Sequence, residues 1–500
     1  MRTFLILLGA AAAGALTLYA FAPWRLFWIM PLALAMLAEL TERLPKRAFL
    51  VGYVFGVSAY ASNFNWIYIS LHDVAGMPAW LAAPMVLLLP AYLAVYPGLA
   101  CWLSVRMDVR PWVRWLIAFP ALWELGEWLR GWVMTGFPWG AAGYSQVTES
   151  PLSGYIPVGG VHLVSWLVAL SAGALALLAR SGMRSRIALL AGLAALWGNG
   201  YWLQSLEWTT PVGKPVSVAL GQGDIPQAIK WDPATFEQTL RTYYQQVATT
   251  HADLMILPET ALPVFLDDLP SGYLTMLTGD AARNNMAVAT GIARRTSDGR
   301  GYLNAVVAIT DPKQPFYAKD HLVPFGEFVP LPGLIGWIYQ YMNMPMSGFS
   351  RGGANQRPLT LAGQQIAFNI CYEDSFGEEL IGPAAHATLL ANVSNLAWFG
   401  KSVAMSQHLQ LSQARALETG RTMLRATNTG MTAIIRHDGE IAAIAAPDTQ
   451  QVLQGLVQGR TGMTPYMRVG NQPVIIGCLL LTLLAMGLGQ WQRRRAATVG

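Results

Sequence analysis

Charge is what this sequence has least of. Its 500 residues hold 33 Lys and Arg and 28 Asp and Glu, 12% in all, against 53% hydrophobic residues. That is about half the charged fraction of an ordinary soluble domain, and the balance points to a membrane. The formal charge of +5 is spread in short basic clusters between apolar runs, with no stripe or patch, which argues against a nucleic-acid partner. Cysteine is scarce too. Of the three, Cys101 and Cys478 fall inside apolar runs, so no disulfide framework is expected and Cys371 alone sits in a polar, globular context. There is no His-Glu-x-x-His, no Cys-x-x-Cys and no phosphate-cradling glycine loop, and the seven histidines are scattered; neither a metal, nor ATP, nor any other cofactor is expected. Internal repeats and low-complexity tracts are absent as well.

What is present is a series of apolar runs, near 4–22, 25–40, 50–70, 79–104, 112–130, 158–180, 185–204 and 472–490. Crossing about 30 Å of hydrocarbon takes about 20 residues, so the series predicts eight transmembrane helices. The first run, with Arg2 ahead of it and small residues around Ala11 to Ala15, also fits a signal peptide, but it continues through Leu16, Tyr19 and Phe21 and another run follows at once. Every second connection is basic: Arg43, Lys46 and Arg47; Arg106, Arg110 and Arg114; Arg180, Arg184 and Arg186; then Arg493, Arg494 and Arg495. Cytoplasmic loops carry such an excess, which places both termini inside and the stretch from about 206 to 470 outside. Three parts are expected: a transmembrane domain over 1–205 with seven helices, an extracytoplasmic globular domain over 206–470, and a final helix with a basic cytoplasmic tail over 471–500.

In the globular stretch, Ser217 to Leu220, Leu254 to Leu257, Ala287 to Ala293, Ala305 to Thr310, Ile366 to Cys371 and Thr388 to Val393 read as buried strands. Pro233 to Thr249, Leu274 to Asn284 and Gln407 to Gly420 carry apolar residues at helical spacing. Strands covered by helices imply a layered α/β sandwich. Pro330 to Arg351 stands apart, crowding Leu331, Trp337, Tyr339, Tyr341, Met342, Met344 and Met346 between glycines and prolines. It reads either as core or as a mobile amphipathic arm in the lipid headgroup region.

Cys371 ends an apolar strand and is followed by Tyr372-Glu-Asp-Ser375. A lone buried cysteine is more often a small hydrophobe, but an unpaired extracytoplasmic thiol beside acids invites oxidation, and chemistry is a sufficient reason for keeping it. Attack needs the thiolate, which a carboxylate base or a nearby ammonium promotes. Glu259, after Leu254-Met-Ile-Leu-Pro258, and Lys319, after Tyr317-Ala, stand at strand ends too; each alone reads as an ordinary surface residue.

Together, however, Pro258-Glu259, then Lys319 followed by Leu322-Val-Pro-Phe-Gly-Glu327, then Cys371-Tyr-Glu373, resemble the carbon-nitrogen hydrolase (nitrilase) superfamily, whose members use a Glu-Lys-Cys triad. Longer strings resemble its membrane branch, the apolipoprotein N-acyltransferase family: Gly221-Gln-Gly-Asp-Ile-Pro-Gln227 to Trp231, Val393-Ser-Asn-Leu-Ala-Trp-Phe-Gly400, Arg415-Ala-Leu-Glu418, Arg425-Ala-Thr-Asn428, and Glu127-Trp-Leu-Arg130 with Thr135-Gly-Phe-Pro-Trp139 in the membrane half. Leu396 departs from the pattern, standing where many relatives carry an acid. The resemblance implies an αββα nitrilase-like sandwich in the periplasm of a bacterial inner-membrane protein. It also implies Cys371 as nucleophile, Glu259 as proton acceptor and Lys319 as holder of the oxyanion, helped by backbone N–H groups near Tyr372. Glu327 and, less centrally, Glu373 would support them, and Trp231, Trp139, Tyr372, Trp337 and Phe399 would line the substrate path. The implied substrates are a phospholipid donor, phosphatidylethanolamine, and a diacylglyceryl apolipoprotein acceptor, served in turn by a monomer through a thioester. A membrane-tethered amidase shares the triad, and a transporter with a degenerate outer domain shares the spans. Against the transporter, the spans hold few ionisable residues besides Glu39, Glu124 and Glu127, which read as lying near span ends.

Overall fold

A computed structural model describes residues 1–341 and 348–499 and divides the chain into two compact units. The first comprises Met1–Asn65, Ala83–Leu206 and Arg468–Gly500; the second joins Trp66–Ala82 to Glu207–Met467.

The first unit is helical. Each of the eight apolar runs carries helix: Arg2–Leu16, Ile29–Arg43, Ala48–Phe64, Ala79–Leu93 with Val95–Arg106, Phe119–Arg130, Ile156–Leu178, Met183–Leu203 and Gln472–Val499. Four segments among the described residues are long and apolar enough to cross a membrane: Arg2–Ala20, Ala79–Arg106, Pro151–Leu178 and Gln472–Arg495. The 15 residues of Ile29–Arg43 rise only about 22 Å, less than the hydrocarbon thickness, whereas Phe119–Arg130 continues a helical run that begins at Pro111 and passes through a π-helical stretch at Arg114–Ala118. The first helix is packed into its unit: Ser58 donates to the Ala11 carbonyl at 2.7 Å, and a Cβ on Gly14 would lie 2.2 Å from the Phe55 carbonyl oxygen.

The basic connections converge on one end of this unit. Arg43 and Arg180 both pair with Glu39, at 2.8 and 2.7 Å, Arg114 pairs with Glu42 at 2.5 Å, and Arg493 donates to the Arg106 carbonyl at 3.0 Å. Glu127 stands in the last turn of the helix Phe119–Arg130 and Glu124 about one turn before it; both are buried, and partners offset the cost of burial. Glu124 meets His162 Nδ1 at 2.6 Å, and Glu127 accepts the Ala142 N–H at 2.9 Å and Trp123 Nε1 at 3.1 Å.

The second unit is a four-layer sandwich. One sheet runs in the order Gln451–Val457, Val216–Gln222, Leu254–Ile256, Ala287–Arg295, Tyr302–Ala308, Phe316–Ala318, with Leu262–Phe265 pairing beside Ala287–Arg295. The other runs Ile441–Ile444, Ala433–Ile435, Met423–Thr427, Leu389–Ser394, Gln364–Ile370, Leu359–Leu361. The central strands of each are parallel and the outer pairs antiparallel. Side-chain alternation builds the layers. Val216, Val218 and Leu220 of one sheet share an inner core with Ile366, Phe368, Ile370, Leu389, Ala391 and Val393 of the other. The opposite faces, Ala219 and Met255 on one side and Ala367 and Leu390 on the other, pack under the helices Pro233–Thr249 and Tyr273–Arg283, and Gly377–Ala385 and Ala404–Thr419 respectively. Loops after the central parallel strands Leu254–Ile256 and Gln364–Ile370 carry Glu259 and Cys371, and Lys319 follows the outer strand Phe316–Ala318.

Candidate active site

Glu259 follows the strand Leu254–Ile256, whose ladder extends one residue through the Leu257 N–H to the Ala289 carbonyl, 2.9 Å. The turn lies directly on the neighbouring strand because position 291 is glycine: a Cβ there would come within 2.3 Å of the Pro258 carbonyl oxygen and 2.7 Å of the Glu259 Cα. Lys319 follows Phe316–Ala318, its backbone N–H bonded to the Asn304 carbonyl at 2.8 Å. These placements join two carboxylates, one ammonium and one amide. Lys319 Nζ lies 2.8 Å from Glu327 Oε2 and 3.7 Å from Glu259 Oε1. Asn304 Nδ2 donates to both acids, at 2.8 Å to Glu259 Oε1 and 3.0 Å to Glu327 Oε1, and the Val323 N–H donates to Glu327 Oε2 at 2.8 Å. Burial opposes the charge on Lys319, but Glu327 and Glu259 outweigh it and hold the ammonium above the ordinary lysine range.

Cys371 closes the strand Gln364–Ile370 and adopts φ +54°, the left-handed region that side chains seldom occupy and that recurs at functional turns. Its thiol is half-buried, whereas Cys101 and Cys478 are fully enclosed. Desolvation, then the negative charge of Glu259, push the thiol up to about 12, while Lys319 and a hydrogen bond from the Asn395 N–H pull the other way. The resting side chain is therefore a protonated thiol. Asn395 ties the two sheets together, because its N–H also donates to Glu259 Oε2 at 2.9 Å.

Glu373, two residues after the cysteine, is buried and accepts from four donors. Three are backbone N–H groups: Ile370 at 2.7 Å, Asp320 at 2.7 Å and His321 at 3.0 Å; the fourth is the Tyr317 hydroxyl at 2.9 Å. It thus stitches the cysteine turn to the lysine turn. Burial raises it to about 7, opposed by Lys319 and by these N–H donors.

The remaining candidates are spread over the chain. Trp231 is half-buried beside Lys230, Tyr372 is buried with its ring edge-on to Phe376 at 5.1 Å, and Phe399 meets Trp66 edge-on at 4.6 Å. Trp337 is exposed, 6.3 Å from the Tyr341 ring. Trp139 belongs to the helical unit, buried, with its carbonyl accepting from Arg130 Nη1 at 2.9 Å. Of the amphipathic arm, Met342, Met344 and Met346, and the side chain of Tyr339, lie outside the described residues. Leu396 is fully buried, an environment that favours leucine over an unpaired acid.

Several polar residues at the site were not singled out by the sequence. Asn304 is one. Lys230 is another, buried with Nζ donating to the Glu259 carbonyl at 3.3 Å; burial brings its ammonium down to about 8. Beneath Cys371 lies a third group, in which Arg425, Asp374, His408, Ser412, Asn392 and Asn369 fill the space between the sheet and the helix Ala404–Thr419. Asn369, Asn392 and Arg425 are register partners on adjacent strands, so a polar residue at one matching position of each was the available signal.

Residues 13–174 match the apolipoprotein N-acyltransferase N-terminal domain, and residues 217–466 match the carbon-nitrogen hydrolase family. The apolipoprotein N-acyltransferase of Chromobacterium violaceum is 73% identical over 494 residues, spanning 99% of this chain and 96% of its own. The enzyme of that name from Neisseria meningitidis serogroup A is 47% identical over 96% of this chain and 95% of its own, and the one from Nitrosomonas europaea 44% identical over 99% of both.

Proposed function

The chain belongs to the apolipoprotein N-acyltransferase family, a family of membrane proteins, and from that membership we propose how it acts. It transfers a fatty acyl chain from a membrane phospholipid, phosphatidylethanolamine, to the α-amine of diacylglyceryl-cysteine on an apolipoprotein. The observation that carries this reading is the extent of the match: high identity runs through the helical unit as well as the sandwich, and an amidase acting on small soluble amides has no use for the former.

In the first half-reaction Glu259 takes the thiol proton of Cys371 as the sulfur attacks the ester carbonyl. The C–O bond breaks, the proton passes to the departing alkoxide, and a lysophospholipid leaves a thioester on the enzyme. In the second half the amine attacks the thioester, an amide forms, and the proton lost by the amine returns through Glu259 to the sulfur. A thiol raised to about 12 makes this proton transfer necessary, since little free thiolate exists at neutral pH. Lys319, fixed by Glu327, supplies positive charge where the oxyanion develops. Glu373 orients the turns that carry both groups.

The eight helices span a bacterial inner membrane with both termini in the cytoplasm, the sandwich over 206–470 in the periplasm and the basic tail inside. The gathering of the arginine-bearing connections at one end of the helical unit supports this arrangement. Within the sandwich unit, Trp231, Trp337, Phe399 and Tyr372 contribute apolar side chains that accept lipid and keep water from the thioester. A monomer suffices.

Intact-protein mass spectrometry tests the scheme. Purified enzyme incubated with phosphatidylethanolamine gains a hydroxylamine-sensitive acyl mass on Cys371, which moves to a diacylglyceryl-cysteine peptide on addition. Release of the acyl group only to water would instead identify a hydrolase.

A further inference from the structure

We infer that His408, through the carbonyl of Cys371, aims the Tyr372 N–H at the oxygen of the attacked acyl group, and is thus a positioning residue of the transfer reaction. The inference rests on the acyl-transfer reading above.

The protonation of His408 follows from its partners. Arg425 Nη2 lies 2.9 Å from His408 Nδ1, and a guanidinium only donates, so Nδ1 is the acceptor and the proton resides on Nε2. Nε2 lies 3.1 Å from the Cys371 carbonyl oxygen and therefore donates to it; Asn392 Nδ2 approaches the same oxygen at 3.4 Å. The guanidinium is itself held on every side. Nη1 donates to Asn392 Oδ1 at 3.0 Å and Ser412 Oγ at 2.9 Å, Nε donates to the Met431 carbonyl at 3.2 Å, and Asp374 Oδ2 lies 3.6 Å away. Asp374 is held by Ser412 Oγ and by Asn369 Nδ2 at 3.0 Å. Burial, then the charge of Arg425, keep the imidazole neutral, as this arrangement of donors requires.

The network acts on one peptide plane, that of the Cys371 carbonyl. The peptide joining Cys371 to Tyr372 is planar and trans, so its C=O and N–H point in opposite directions. Drawing the carbonyl towards the sheet–helix layer turns the Tyr372 N–H away from that layer. It also helps hold the left-handed conformation of Cys371, which a side chain adopts only where its surroundings impose it. An acyl carbon bonded to the cysteine sulfur places its oxygen within reach of the N–H of the next residue, so a rotation of this one peptide plane removes an oxyanion donor while leaving the thiol where it was.

Two reactions at the same sulfur separate this role from a structural one. Acylation by phosphatidylethanolamine passes through an oxyanion; alkylation by iodoacetamide displaces iodide and forms none. Glutamine at 408 reproduces the Nε2 donor and asparagine reaches only the Arg425 side. His408→Asn is therefore expected to slow acyl-enzyme formation about 10²- to 10³-fold, the size of losing one oxyanion donor, with alkylation of Cys371 unchanged. His408→Gln keeps most of the acylation rate, and His408→Leu, measured alongside in case the asparagine variant does not fold, behaves as His408→Asn. Parallel loss of acylation and alkylation, or undiminished acylation in both His408→Asn and His408→Leu, overturns the inference while wild type still acylates. Absence of any acyl mass on wild type overturns the acyl-transfer reading and this inference with it.

Discussion

The two sheets of the sandwich each bring polar groups to the same edge, but they hold them differently. From the first sheet, Glu259, Lys319 and Glu327 reach one another through their side chains, with Asn304 shared between the two acids. From the second, Cys371 is held through its backbone, by donors to its own carbonyl and to the neighbouring Glu373. Charges that satisfy one another side chain to side chain can respond when a proton moves, because each remains paired. A backbone pinned from beneath cannot respond, and a nucleophile whose geometry must survive two half-reactions benefits from that. Stitches between the halves include the Asn395 N–H on Glu259, the Asn395 side chain on Gln227, and Glu373, which accepts from the Asp320 and His321 N–H groups and the Tyr317 hydroxyl. Proton handling and nucleophile geometry are therefore separable by mutation.

The largest effect belongs to the second sheet. Cys371→Ala is expected to abolish the acyl adduct, whereas Cys101→Ala and Cys478→Ala, at buried positions in the helical unit, leave it intact; loss of activity in either of the latter would break the distinction between the thiols. The first sheet comes next, and its signature is a pair of opposite shifts. Glu259→Gln should cut acylation about 10²- to 10⁴-fold, the range for losing a general base. It also removes a negative charge that raises the Cys371 thiol, so iodoacetamide labelling moves to lower pH even as acylation fails. Lys319→Met should cost about 10²- to 10³-fold in acylation and move labelling to higher pH, because the ammonium favours the thiolate. Equal directions of shift would show that these two groups, 3.7 Å apart, do not act on the thiol as separate charges.

Much of the sandwich was legible because its inner strands are buried on both faces and so read as short apolar runs. Val216–Gln222 and Gln364–Ile370 lie where their apolar runs predict, and the helix Pro233–Thr249 begins where Asp232 accepts the Ala234 N–H at 2.9 Å ahead of a proline at the first turn. Met423–Thr427 was not read as a strand, although Arg425-Ala-Thr-Asn428 was noted as a string, because an arginine interrupts its apolar run; the facing Asp374, Asn392 and Ser412 make Arg425 a core residue. Gln451–Val457 was missed because it is half-exposed and carries no continuous apolar run. At the site, the order of the acid, lysine and cysteine motifs pointed to Glu259, Lys319 and Cys371, which the fold gathers. Asn304, Lys230 and His408 carry no such mark. Their partners lie 45, 29 and 37 residues away, and it is the fold that turns an ordinary amide, lysine or histidine into a buried donor.

The smallest predicted effect sharpens the comparison, because it concerns stability at the rigid half. His408 is neutral in the fold, its titration displaced well below 6.5 by burial, by Arg425 and, less, by Lys319, against the hydrogen bond to the Cys371 carbonyl; Asp374 Oδ2 lies 4.0 Å from its Nε2. In the unfolded chain it takes up a proton near pH 6.5. Below that pH the unfolded state binds more protons than the folded one at this position, so stability falls as the medium is acidified from about pH 6.5 towards the folded-state value. Asp374 works in the opposite sense, its folded value being raised by burial, and it is present in wild type and in His408→Gln alike. The difference in melting temperature between wild type and His408→Gln, followed between about pH 7.5 and 5.5, isolates the contribution from those of the other histidines. The wild type should lose more stability across that interval. Parallel curves would mean that position 408 binds its proton equally in both states, which the Arg425 contact to Nδ1 forbids while that contact is made.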